Sequence, residues 1–155
     1  MNESILYFED IQVGDKCVSM GRTVTETDIV NFAGISGDYN MLHTDAEFAK
    51  DTLLGERVAH GLLGLVFGSG LFTRTVYNTR MSPALMAFMG LREWTFRRPI
   101  KIGDTIRIEM EVLEKTDLKP DRGRVVQRRT VYNQRGEAVQ YGDAVLLIKK
   151  RHAEG

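Results

Sequence analysis

The segment Ser36-Gly37-Asp38-Tyr39-Asn40-Met41-Leu42-His43 sets a carboxylate and an imidazole five residues apart. Histidine titrates near neutrality and both gives and takes protons. A carboxylate beside it orients the ring, tunes it, or shares in holding a water molecule. Asp38 and His43 are therefore a candidate acid–base pair. A plain structural reading stands beside that one. Asp38 would support a turn or cap the next helix, and His43 would pack as a partly buried ring. Residue type alone leaves both readings open.

His60-Gly61 is the second candidate. A run of apolar residues follows it directly, so it opens a helix. The first turn of a helix presents unpaired N–H groups and partial positive charge. A glycine at that point lets a ligand oxygen approach the backbone. Such donors stabilise a developing oxyanion by roughly 100–1000-fold in rate each. The alternative is a glycine serving only loop geometry. Ser69 lies two turns further on, where its hydroxyl can also bond back to the helix backbone.

Other signatures are absent from the sequence. There is no Walker loop, no dinucleotide-binding glycine fingerprint and no Gly-x-Ser-x-Gly elbow. The three histidines, His43, His60 and His152, lack metal-binding spacing, so no metal centre is expected.

Three helices must position these groups. The first starts at Thr25, with Asp28 in the capping-box position, and Gly34 is expected to stop it. The second starts at Thr44, with Glu47 in the box position, and covers Asp45 to Lys50. Ser36 to His43 falls between a helix stop and a helix start, and is expected to be a loop or tight turn. Loops held by rigid elements are favoured sites for chemistry. The third helix, Gly61 to Tyr77, is apolar round most of its circumference, which predicts a buried helix. Gly61, Gly64 and Gly68 share one of its faces. Each interior glycine costs roughly 1 kcal/mol against alanine, so close packing or exposed backbone is expected there.

The remainder reads as strand. Ile106, Ile108, Met110 and Val112 alternate with Arg107, Glu109 and Glu111, the period of a half-buried strand. Strands are also expected at Lys16 to Val24, at Leu91 to Phe96 before Pro99, and at Arg124 to Tyr132 and Glu137 to Lys149. The last two flank the turn Asn133-Gln134-Arg135-Gly136. One strand, then helices, then several antiparallel strands gives an α+β fold. A long buried helix needs a curved sheet wrapped round it.

Composition narrows the function classes. The 155 residues suit a single domain spanning 1–155. Lys+Arg and Asp+Glu are both 21, so the zero net charge argues against a nucleic-acid partner. The basic pairs Arg97-Arg98 and Arg128-Arg129, and Lys149-Lys150-Arg151, read as solvated strand ends, with anion binding the alternative. Cys17 is the only cysteine and cannot form an internal disulfide. Met1 to Asp10 shows no signal peptide. Gly61 to Phe72 is too short and too rich in glycine for a membrane span. A cytoplasmic location is expected.

These segments, together with Phe8-Glu9-Asp10-Ile11-Gln12-Val13-Gly14 and Pro99-Ile100-Lys101-Ile102-Gly103-Asp104, resemble in order the MaoC-like dehydratase family, which includes the R-specific enoyl-CoA hydratases. Ser-Gly-Asp-x-Asn-x-x-His is the specific element. The resemblance implies a hot-dog fold, a long central helix wrapped by a curved antiparallel sheet. It implies homodimers joined edge to edge with coenzyme A near the interface. Asp38 and His43 match the catalytic dyad, which would activate water and return a proton to the α-carbon. Gly61 matches the residue whose N–H holds the thioester carbonyl oxygen. Asn40, Ser69 and His60 are carried over with it as substrate-side residues. Ser69 matches a serine near the catalytic aspartate, and Asn40 a loop organiser or water ligand.

The implied reaction is reversible hydration of a 2-enoyl-CoA to an (R)-3-hydroxyacyl-CoA. No metal or redox cofactor is needed, since coenzyme A is part of the substrate. Its phosphates would meet Arg97, Arg98 or Lys101. Met41 stands where the family usually has proline. Met81, Met86 and Met89 either line the acyl pocket or belong to plain core. The alternatives are a non-catalytic acyl-CoA-binding or regulatory dimer, and a hot-dog thioesterase. A binding module has no use for the acid–base pair. A thioesterase usually carries a carboxylate on the central helix, and Gly61 to Tyr77 has none.

Overall fold

The computed structural model describes residues 4–151, so His152 lies outside the described residues. Helix α1 spans Glu26–Ser36. Its capping box forms as the sequence predicts. The Asp28 N–H donates to Thr25 Oγ1 at 3.3 Å, and the Thr25 N–H donates to the Asp28 carboxylate at 2.8 Å. The helix runs through Gly34 and stops three residues later than expected. Gly37 takes the left-handed conformation, φ +75°, and its N–H closes the last turn on the Ala33 carbonyl at 2.9 Å. A glycine ends a helix where the backbone turns left-handed, and an interior glycine costs too little to do so.

The following segment is partly helical. Met41–Thr44 form one turn, α2, and Ala46–Lys50 form α3. The cap of α3 is Asp45, whose carboxylate accepts from the Glu47 and Phe48 N–H groups at 2.9 and 3.0 Å. Thr44 lies inside α2, and its hydroxyl donates to the Tyr39 and Asn40 carbonyls.

The third helix is broken. α4 spans Gly61–Thr73 and α5 spans Val76–Met81. Thr75 interrupts them because its hydroxyl accepts the Asn78 N–H at 3.1 Å and starts a new helix.

The strands are β1 Lys16–Val18, β2 Arg22–Thr23, β3 Leu85–Phe96, β4 Thr105–Lys119, β5 Arg122–Tyr132 and β6 Ala138–Lys149. They lie in the order β1-β4-β5-β6-β3, all antiparallel, with β2 also paired to β4. The expected strand Lys16 to Val24 is two short pieces. Helix α4 crosses the sheet's inner face, where Leu63, Leu71 and Phe72 join Ile106, Ile108, Val131 and Val139 in the core. This is the hot-dog arrangement.

The glycine face of α4 makes this approach possible. A Cβ on Gly64 would lie 2.2 Å from Gln140 Nε2 and 2.6 Å from Ile100 Cδ1. One on Gly68 would lie 2.9 Å from Val131 Cγ2. Close packing is thus the reason for these glycines.

The opposite face of α4 is not buried, contrary to its all-round apolarity. Leu62 is 58% exposed and Val66 53%. Exposed Met86, Phe88, Met89 and Leu91 lie on edge strand β3. Met81 is core, whereas Met86 and Met89 are surface. Among the described residues, no helix is long and apolar enough to cross a membrane.

The basic runs also divide. Lys150 and Arg151 pair with Asp117 and Asp10 at the surface. Arg128 pairs with Asp143 on the outer face, but Arg129, its neighbour, is buried. Adjacent strand residues face opposite ways, so a basic pair cannot be solvated on both sides.

Candidate active site

A chain of side-chain to backbone bonds shapes the segment after α1. The Asp38 N–H donates to Ser36 Oγ at 3.2 Å, and the Asn40 N–H donates to Asp38 Oδ1 at 3.2 Å. The Leu42 N–H donates to Asn40 Oδ1 at 3.0 Å. Asn40 is thus the N-cap of α2. Its observed work is to organise the loop, as small polar residues do by bonding backbone two residues on.

His43 is fixed by a residue distant in sequence. Its Nδ1 lies 2.8 Å from the Val58 carbonyl oxygen. A carbonyl only accepts, so Nδ1 carries the hydrogen. In the neutral ring, Nε2 is left with its lone pair free to accept a proton. His60 is fixed the same way with the nitrogens exchanged. Its Nε2–H donates to the Asp38 backbone carbonyl at 2.9 Å. Its Nδ1 is buried and has no partner among the described residues. The two rings stack at 3.9 Å between centroids, 30° from parallel. Phe32 of α1 backs His60 at 5.0 Å.

One polar atom from each of Asp38, His43 and His60 lies within 4.8 Å of the others. Sequence spacing argued against a metal site, but folding joins the two histidines, and the cluster has the spacing to hold an ion. His60 itself is only 2% exposed. Its ring packs against His43 and Phe32.

Gly61 is the first residue of α4, and His60 supplies no side-chain cap. The first N–H groups of the helix therefore have no intrahelical partner. A Cβ at Gly61 would stand 3.0 Å from the Phe96 ring. Its carbonyl accepts from Gln140 Nε2 at 2.9 Å. Gly61, Val58, Phe96, Arg97 and Arg98 line an open cleft of about 300 Å³. Lys101 pairs with Glu56 and does not line that cleft. Ser69 is exposed two turns along α4 and lines another cavity.

The family model described as MaoC like domain matches residues 10–134. The chain belongs to the MaoC-like dehydratase family.

Its MaoC-like relatives cover it to different extents. It is 34% identical over 145 residues to the (R)-specific enoyl-CoA hydratase of Rhodospirillum rubrum, spanning 94% of this chain and 93% of that one. It is 39% identical over 110 residues to protein MaoC of Klebsiella aerogenes, spanning 71% of this chain but 31% of that longer protein. A solved structure of a monoamine oxidase regulatory protein from Archaeoglobus fulgius superposes with a TM-score of 0.92 at 40% identity, covering 98% and 99% of the two chains.

Three contributors to this MaoC-like site escaped the sequence reading. The Val58 carbonyl has no sequence signal, since any residue carries one. Phe96 and Gln140 act by packing against Gly61 and holding its carbonyl. A glutamine at an inward position of β6 was the one available cue.

Proposed function

We propose that the protein hydrates 2-enoyl-CoA thioesters reversibly to (R)-3-hydroxyacyl-CoA, with Asp38 and His43 as the acid–base pair. The bond from His43 Nδ1 to the Val58 carbonyl supports this most directly, because it leaves Nε2 as a proton acceptor on a ring that has a nitrogen within 4.8 Å of an Asp38 carboxylate oxygen. Water is held between the two side chains. Its oxygen adds to the β-carbon while one proton passes to the pair. Electrons move through the double bond into the thioester carbonyl, and the Gly61 N–H stabilises the enolate oxygen. A proton then returns to the α-carbon. Acid–base help of this kind contributes roughly 100–10,000-fold.

His43 reaches the start of α4 because it stacks on His60, the residue before Gly61. Arg97 and Arg98 line the cleft at Gly61, which supports a role for them in holding the coenzyme A phosphates. The reaction requires no metal or redox cofactor. A cytoplasmic location belongs to this reading.

The second element of the proposal is a homodimer. Exposed apolar residues lie on β3 and on the outer face of α4, and their burial against a second copy would stabilise association. A second β3 would also satisfy the open sheet edge. Sedimentation velocity should show a dimer, and Met89→Lys should weaken it. A monomeric wild type would sink this element.

The reaction is tested with a panel of 2-enoyl-CoAs, following loss of the conjugated double bond. Wild type should hydrate at least one. Asp38→Asn and His43→Ala should each lower turnover by at least ~100-fold while keeping the fold. Wild-type rates in both variants would refute the mechanism. Release of free coenzyme A with the alkene intact would establish a thioesterase instead. No carboxylate lies on α4 or α5 to serve one.

A further inference from the structure

Arg129 takes no part in the proposed chemistry, yet it is 95% buried, with 5% of its surface exposed. It projects from β5 onto the inner face of the sheet. Its guanidinium carbon lies 3.9 Å from the centre of the Phe72 ring on α4, and 5.8 Å from that of Phe88 on β3. One Nη2–H donates to Gln127 Oε1 at 3.1 Å. Among the described residues its Nε is buried without a partner, and no carboxylate pairs with it. Burial pulls its pKa down to about 10, which still leaves it protonated at neutral pH.

A buried cation is normally paired, because removing it from water carries a large penalty. The aromatic rings offset part of that penalty. They do not supply an acceptor for Nε. The cation also borders a cavity of about 170 Å³, walled by Leu65 and Val66 of α4 and by Phe88 and Leu91 of β3. Ser69 and Arg129 add polar groups to this otherwise apolar lining.

The position of the cavity says what would enter it. Gly61, the proposed thioester anchor, starts α4. Leu65 is one turn further and Ser69 two turns, about 12 Å along the axis. An acyl chain that leaves the thioester along α4 would bring its far end to the Arg129 cavity.

We propose that Arg129 selects acyl chains ending in a carboxylate, so that the preferred substrates are ω-carboxy-2-enoyl-CoA thioesters. This rests on the hydratase reading above. The guanidinium fork matches a carboxylate bidentately. A methyl-ended chain would leave the buried charge unpaired, and a site built for a polar group rejects the analogue that lacks it.

The test compares 2-enoyl-CoAs matched in chain length, ending in methyl or in carboxylate, across a short-to-medium series. Wild type should favour the carboxylate by about 10- to 100-fold in kcat/KM at its best length, the contribution of a hydrogen bond to a charged group. Arg129→Met should bring that ratio to one or reverse it. Arg129→Lys, which keeps the charge without the fork, should retain part of it. Wild type that prefers methyl-ended chains would overturn the proposal while the hydratase reading stands. So would an Arg129→Met enzyme that loses both substrates alike and sediments differently, which would assign the cation to a second copy of the chain.

Calorimetric binding of the saturated, unreactive pair makes the same comparison without turnover. If no enoyl-CoA is hydrated, the reaction falls, and binding still decides the pocket. Equal affinity of wild type for the two saturated ligands would overturn it. Should Arg129→Met fail to fold, the wild-type preferences decide alone.

Discussion

His43 and His60 stack ring on ring at 3.9 Å, and each is pinned through one nitrogen to a backbone carbonyl, those of Val58 and Asp38. The second bond couples His60 to the backbone of the residue that carries the site's carboxylate. His60→Phe would keep a ring against His43 and delete that bond. Stability should fall by about 1 kcal/mol. The kcat should fall by about tenfold with KM little changed, because geometry is lost and binding is not. Steady-state kinetics on one enoyl-CoA checks this, and an unchanged kcat would show that the bond does not position Asp38.

Met41 is the first residue of α2, where the N–H has no intrahelical partner and proline is favoured. Asn40 before it has ψ 133°, away from the helical region and within the range a residue before proline takes. Met41→Pro should therefore stabilise the fold by about 0.4–1 kcal/mol through the unfolded chain. The urea midpoint should rise. A lower midpoint would mean that this turn has another conformation in solution.

Two helix glycines should respond with opposite signs. Gly64→Ala drives a methyl into Gln140 and Ile100, and should destabilise by about 1–3 kcal/mol despite better helix propensity. Gly34→Ala in α1 meets only the Tyr39 hydroxyl at 3.8 Å and should stabilise by up to about 1 kcal/mol. Thermal unfolding of both variants beside wild type reads the two signs together.

Asp104 gives the fold an acid limit. It is 3% exposed, and burial on its own pushes its pKa up. The Lys101 N–H, the Gln134 amide and Arg135 outweigh burial and hold it below the ordinary carboxylate value. A lowered folded pKa means stability that is present above the unfolded value, about 4, and lost as pH falls through the folded one. Asp104→Asn should cost about 1–3 kcal/mol at neutral pH. The gap between variant and wild type should close as pH drops below about 4. Denaturant curves across that range measure it, and a constant gap would contradict this account.

Much of the fold was legible in the sequence because the signals are local. Thr25 and Asp28 cap α1 within one turn of chain, and alternation along Ile106 to Val112 marks β4. Gly64 and Gly68 announced a close neighbour, although not that it would be Gln140 or Val131. The misread boundaries have equally local causes. Gly37, not Gly34, turns left-handed, and Thr75 breaks a helix that hydrophobicity alone would continue.

The Ser36–His43 motif and the His60-Gly61 helix start name the candidate groups by residue type and carry much of the resemblance to the family. Tertiary structure decided what those groups are bonded to. The Val58 carbonyl that orients His43 and the stacking of His60 join residues 15 or more positions apart. Arg129 faces the interior and Arg128 does not because strand register, set by β4 and β6, assigns each residue its side of the sheet. Caps and periodicity are properties of a few consecutive residues. Ring stacking, tautomer and the burial of a charge depend on surfaces that meet only after the chain has folded.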